Sequence, residues 1–304
     1  MVASACTCDT ARGGAEFTAA GRQRQSVASG GVTWDRLRAI AGGHAAGLRA
    51  PLPAGPGCCV VCRGPARIGC LRCFHCATHH EQAPGLLADA VAALSYSVSG
   101  TPYARALWQY KGDTARRDPA RAALRTLLLV FLHEHGRCLW ARAGVPGPSH
   151  LAVVPTGRGR PGPHPLRSVL QPYLTLPWVP LVTTPGDPFL ARSLYPGRFQ
   201  VAGAVGRNRP LAGATVLLID DTWTTGGSAQ SAAAALKLGG AKTVIIVTLG
   251  RHLNLSCGLP DSFTVAVLDS VFRLDRCAVH GVDPDVRGTW LTSGSAQVTT
   301  VDHR

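Results

Sequence analysis

Three short runs of this chain are apolar from end to end: Leu151–Pro155 (LAVVP), Thr215–Ile219 (TVLLI) and Thr243–Leu249 (TVIIVTL). A strand with one wet face alternates apolar and polar residues, whereas a continuous apolar run belongs to a strand covered on both faces. Helix-type segments alternate with these runs: His164–Leu174, and the Ala-rich stretch Gly227–Leu238. Strands alternating with helices predict an α/β domain, a parallel sheet with flanking helices. Further strands are expected at 89–98 (DAVAALSYSV) and Trp178–Thr183. Further helices are expected at Tyr103–Tyr110, after Pro102, and from Pro119 to about Trp140. Proline suits the first helical turn, where its missing N–H costs nothing.

Six of the 11 cysteines fall in one run, CCVVCRGPARIGCLRCFHC, from Cys58 to Cys76. Cys59-x2-Cys62 and Cys73-x2-Cys76 stand ten residues apart. Each C-x2-C places two sulfurs on one tight turn, and two such turns close a tetrahedron around zinc. Cys59, Cys62, Cys73 and Cys76 are the predicted quartet for one structural Zn²⁺. Cys58, Cys70, His75, His79 and His80 are further candidates in the same segment. Cys6, Cys8, Cys138, Cys257 and Cys277 are expected to carry no ligand, with Cys138 as ordinary helix core.

The formal net charge is +14, and only Lys111, Lys237 and Lys242 are lysines. The arginine excess has two readings: a polyanionic partner such as nucleic acid or pyrophosphate, or the codon usage of a GC-rich genome. No membrane span is expected. The longest uncharged stretch near spanning length, Ser168–Gly186, carries Pro172, Pro177, Pro180 and Pro185. The first residues, MVASACTCDTARGG, lack an apolar signal core, which predicts a cytoplasmic protein. Composition divides the chain into an unstructured extension (1–57), a zinc module (58–80), an α/β domain (86–282) and a polar tail (283–304).

Val216–Gln230 (VLLIDDTWTTGGSAQ) carries the most chemistry. An apolar strand reaches Asp220 and Asp221, a loop with Thr224, Thr225, Gly226 and Gly227 follows, and a helix begins. Ligands of open parallel sheets sit beyond the carboxyl ends of the strands. Two carboxylates there accept hydrogen bonds from vicinal hydroxyls such as those of a ribose. Glycines let backbone approach a phosphate closely, and the N–H groups opening the helix face it. Thr222, Thr224, Thr225 and Ser228 add hydroxyl donors. With no Lys after the glycines this is not a Walker A loop, nor is it G-x-G-x-x-G. Trp223 either covers the ligand or anchors the loop.

The segment resembles the PRPP motif of type I phosphoribosyltransferases: an apolar strand, two acids, then TTG. Together with the cysteine module it resembles the ComF-like branch, across roughly residues 58–252. The resemblance implies a type I phosphoribosyltransferase-like sheet preceded by a zinc-ribbon-like module. It implies that Asp220 and Asp221 hold the ribose hydroxyls and that Thr222 through Ser228 wrap the 5′-phosphate. It also implies that Mg²⁺ travels with PRPP. Thr156-Gly157-Arg158-Gly159-Arg160 follows the first core strand and takes the place of the family's pyrophosphate loop, with Arg158 or Arg160 supplying charge. Tyr110-Lys111-Gly112 resembles the family's Tyr-Lys-Gly segment, and Arg198 lies where related enzymes carry a mobile loop. Asp220, Asp221, Arg158 and Lys111 are the expected catalytic set.

The chain departs from the branch after the pyrophosphate loop. An Arg-Gly-Phe-Asn-Gln run is replaced by Arg160-Pro161-Gly162-Pro163-His164-Pro165-Leu166, and His164 is the nearby histidine. The leading expectation is a glycosyl transfer of nucleotide metabolism, from PRPP to an unidentified nucleobase or other acceptor. The alternative is a non-catalytic PRPP or nucleotide binder with a competence or DNA-uptake role, its zinc module docking single-stranded DNA or a protein. Only Phe74 offers that module an aromatic surface for stacking bases.

Overall fold

The computed structural model describes residues 33–112, 117–156, 164–184, 193–204, 208–277 and 279. Its centre is a four-stranded parallel sheet of β1 (Ala90–Val98), β2 (His150–Val153), β5 (Thr215–Trp223) and β6 (Thr243–Leu253), in the order β1-β6-β5-β2. Side chains alternate across the strands. Leu217 and Ile219 of β5, with Ile245 and Val247 of β6, enter one apolar cluster with α4 (Arg117–Arg142) and α1 (Trp34–Ala45). Val216 and Leu218, with Val244 and Ile246, enter a second cluster with α6 (Gly227–Leu238). Both faces are therefore dry, which is why the strands are apolar throughout.

Shorter helices include α2 (Phe74–Gln82), α3 (Pro102–Gln109) and α5 (Pro165–Leu170). A last one, α7 (Asp261–Asp269), packs Phe263 and Val267 against Tyr96 and Val98 at the end of β1. Trp178–Thr183 is not a strand of the main sheet. Its residues Leu181–Thr183 form β3, paired antiparallel with β4 (Phe199–Val201), while Trp178 makes one parallel bridge to Leu151. The unstructured extension expected over 1–57 is corrected from Thr33 onward, residues 1–32 lying outside the described residues. Thr33 caps α1 by accepting from the Arg36 N–H, and Leu37 and Ala41 are buried in the α4 cluster.

The cysteine segment is not a separate bead. Cys59, Cys62, Cys73 and Cys76 belong to the same apolar cluster as Val216, Leu218 and Trp223. The Tyr96 hydroxyl of β1 donates to the Arg63 carbonyl at 2.6 Å, and Arg142 of α4 donates to the Val60 carbonyl at 3.4 Å. No described helix is long and apolar enough to cross a membrane.

Candidate functional site

The metal centre follows from two local structures. Cys59 and Cys62 sit on a turn closed by the Arg63 N–H donating to the Cys59 carbonyl at 3.0 Å. Arg63 takes a positive φ of 57° to make that turn. Cys73 is the N-cap of α2 and Cys76 lies in its first turn. The four sulfurs all lie within 4.8 Å of one another. Zn–S bonds of about 2.3 Å give tetrahedron edges of about 3.8 Å; Cys62 Sγ and Cys73 Sγ stand 3.7 Å apart. Hydrogen bonds from the Cys62, Cys73 and Cys76 sulfurs hold the Cys59 thiol below its ordinary value. The quartet thus fits a structural metal such as zinc. The other candidates fall away. Cys70, His75 and His80 are exposed, Cys58 turns its sulfur toward the Leu52 carbonyl at 3.9 Å, and His79 is buried outside the quartet.

The acid pair lies within β5 and not beyond it. β2 ends at Val153, opposite Ile219, while β6 continues to pair with β5 through Asp220–Thr248 and Thr222–Gly250. From Asp220 onward no described strand pairs with that edge of β5. Asp221 is buried and its Oδ2 accepts from the Tyr110 hydroxyl at 2.5 Å and from Lys111 Nζ at 2.6 Å. Tyr110 caps the C-terminus of α3, so α3 delivers both partners. Burial and the Asp221 charge push the Tyr110 phenol well above its ordinary value, keeping it a donor. Asp220 Oδ1 accepts from the Asp221 N–H at 2.8 Å. Burial first, then the Asp221 charge, pushes the Asp220 carboxyl up to about 8.

The loop after β5 is built around Trp223, which is 1% exposed. Gly226 has φ +86° and caps α6, and a Cβ there would stand 2.2 Å from Trp223 Cζ2. Only glycine fits over that ring, so Trp223 is the floor of the loop and not a lid. Arg251 fixes the loop from below, donating Nη1 to the Trp223 carbonyl at 3.1 Å and the Thr224 carbonyl at 3.0 Å. The Gly227 N–H donates to Thr225 Oγ1 at 3.3 Å, and Thr222 and Ser228 are half-buried. This leaves a short glycine turn with helix N–H groups at the end of β5.

The remaining predicted residues divide. Thr156 is half-buried just past β2, whereas Gly157, Arg158 and Arg160 lie outside the described residues. Arg198 closes a 3-10 turn, Pro196–Arg198. That segment is tied to the first turn of α6, because the Tyr195 N–H donates to Ser231 Oγ, which itself donates to the Gly227 carbonyl. His164 lies near the acid pair: burial carries its pKa down to about 4, and its ring feels both the Asp221 and Lys111 charges. Its Nδ1 accepts from the Leu166 N–H at 3.1 Å, so the neutral ring carries its proton on Nε2. Sequence reasoning missed Arg251, whose only signal was a buried-strand position ending in a charge.

No protein-family model matches the chain, and no curated protein matches it.

Proposed function

We propose that this protein is a ComF-like phosphoribosyltransferase of type I fold, binding PRPP and transferring its phosphoribosyl group to an acceptor. One observation carries the reading: two acids near the end of β5 run directly into a glycine turn and the N-terminus of α6. In this reading Asp220 and Asp221 accept from the ribose hydroxyls. Thr222, Thr224, Thr225, Gly226, Gly227 and Ser228 surround the 5′-phosphate, and Thr156, Gly157 and Arg158 face pyrophosphate. Lys111 balances the acid pair. An acceptor lone pair forms the new bond to the anomeric carbon, while pyrophosphate leaves with the electrons of the C–O bond. Positioning and charge stabilisation of the leaving group are the protein's contributions. Mg²⁺ enters with the phosphates of PRPP; neither donor cluster among the described residues includes an acid of β5.

Isothermal titration with PRPP, followed by pyrophosphate release with a panel of nucleobases, tests the proposal. Changing Asp220 and Asp221 together to Asn should weaken PRPP binding by about one to a few kcal/mol, the charge-assisted part coming from Asp221. Unchanged binding in that double variant would place the ligand elsewhere.

A second reading, PRPP binding without turnover, is favoured by His164. With Nδ1 engaged as a helix cap and Nε2 protonated, this histidine offers a donor and no base. Binding without pyrophosphate release for any acceptor would select this reading. A docking role for the zinc module belongs with it, since Phe74, Ile68 and Leu71 are exposed there.

A further inference from the structure

Cys138 and Cys277 are expected by sequence to carry no ligand, yet they meet. His135 and Cys138 stand three residues apart on one face of α4, and Cys277 comes from the segment after α7. All three residues are buried. One ring nitrogen of His135 and the two sulfurs lie within 4.8 Å of one another. Two thiols and an imidazole within reach of one another are a donor set of the kind that holds a transition metal.

The imidazole is also prepared for the task. His135 Nε2 stands 3.0 Å from the Leu274 carbonyl, which can only accept. Nε2 therefore carries the proton, and Nδ1 keeps its lone pair. A backbone carbonyl that fixes the tautomer and orientation of a ring is the usual outer partner of a metal-ligating histidine. The sequence adds a matching sign. His135-x2-Cys138 is mirrored by Cys277-x2-His280, a second pair at zinc-turn spacing; His280 itself lies outside the described residues.

We propose that His135, Cys138 and Cys277 form a second metal site, distinct from the Cys59–Cys76 centre and selective for Zn²⁺. Two thiolates and a neutral imidazole are a borderline-soft donor set that suits Zn²⁺ over Mg²⁺ or Ca²⁺. Bonds of about 2.0–2.3 Å require a small inward rotation of the three side chains. Binding displaces the two thiol protons to solvent as each sulfur forms its bond to the ion. The site is a clasp. It fastens the segment 271–277 to α4, and the Val279 carbonyl, accepting from Arg63 Nη2 at 3.2 Å, passes that attachment on to the first metal centre.

The test is stoichiometry under reducing conditions. The full chain is stripped, refolded and titrated with Zn²⁺ against a chromophoric chelator, and the bound metal is then counted by mass spectrometry. Two equivalents are expected for the wild-type chain and one for Cys277→Ser and for Cys73→Ser. None is expected for the two changes combined. Saturation of the wild-type chain at one equivalent overturns the proposal without recourse to any variant. So does a Cys277→Ser chain of native circular dichroism that still binds two. Co²⁺ gives a second readout: thiolate-to-metal absorption should fall on Cys138→Ser while the four-thiolate signature of the first centre persists. An unchanged Co²⁺ spectrum in that variant also defeats it.

Discussion

Asp220 is a carboxyl held in the wrong charge state for a surface acid. Burial and its acidic neighbour raise it to about 8, from an ordinary value near 3.8. The folded chain therefore keeps a proton there that the unfolded chain gives up. Stability from this group is complete below about pH 4 and is lost as pH rises towards 8. His164 runs the other way: its lowered pKa, about 4, withdraws stability as pH falls below about 6.5. The comparison of wild type with Asp220→Asn isolates the acid, because His164 is common to both. Asn keeps the oxygen that accepts from the Asp221 N–H. We expect Asp220→Asn to raise Tm at pH 8 by a few degrees, the scale on which about 1 kcal/mol moves a domain of this size. The gain should vanish near pH 4. A Tm difference constant across that range would show that Asp220 is ionised in the fold throughout. An acid that lowers stability at neutral pH is what a ligand-binding position looks like. The adjacency of the two acids was legible in the sequence, but their unequal environments were not. Those depend on where β2 stops and on Tyr110 and Lys111 arriving from α3.

At the scale of elements, apolar runs were readable and amphipathic remnants were not. β5, β6 and α6 fall where the uncharged stretches and the Ala-rich stretch predict. β5 and β6 run on past them, because Asp220 to Trp223 still find partners on β6. Helix α1 escaped because WDRLRAIAGGHA carries two glycines and only a narrow apolar stripe. Its order comes from packing on α4, which periodicity does not report. β3 was misassigned to the main sheet for the reason that a short apolar run fits either a buried strand or a hairpin. The glycine turn between β5 and α6 yields a sharper expectation. Gly226→Ala should cost about 1–2 kcal/mol from the left-handed backbone alone, and more from the contact with Trp223. Denaturant unfolding measures that cost. Trimming the ring with Trp223→Leu in the Gly226→Ala background should recover the contact part and leave the backbone part. A Gly226→Ala chain as stable as wild type would mean the turn relaxes, and that Trp223 is no fixed floor.

Across the whole molecule, the cysteine quartet and the glycine turn are two ends of one packed unit. The sequence shows a small module followed by a larger domain, and from that spacing alone the larger part should ignore the loss of zinc. Packing argues otherwise. The sulfurs share an apolar cluster with Trp223, and Arg251 lies beneath the turn that holds Cys62, since a Cβ on Gly64 would stand 2.3 Å from its Nη2. The same guanidinium donates to the Trp223 and Thr224 carbonyls. Releasing the metal frees the Cys59–Arg63 turn, and Arg251 then loses the wall that aims it at the glycine loop. Cys73→Ser, which removes one ligand, should therefore speed amide hydrogen exchange at Thr224–Ser228. Ile245–Val247, deep in the sheet, should stay protected. Exchange reads local opening free energy, so it separates a loosened loop from a globally weakened fold. If the loop amides keep their protection after the metal is lost, Arg251 is positioned by β6 alone and the two ends are energetically separate.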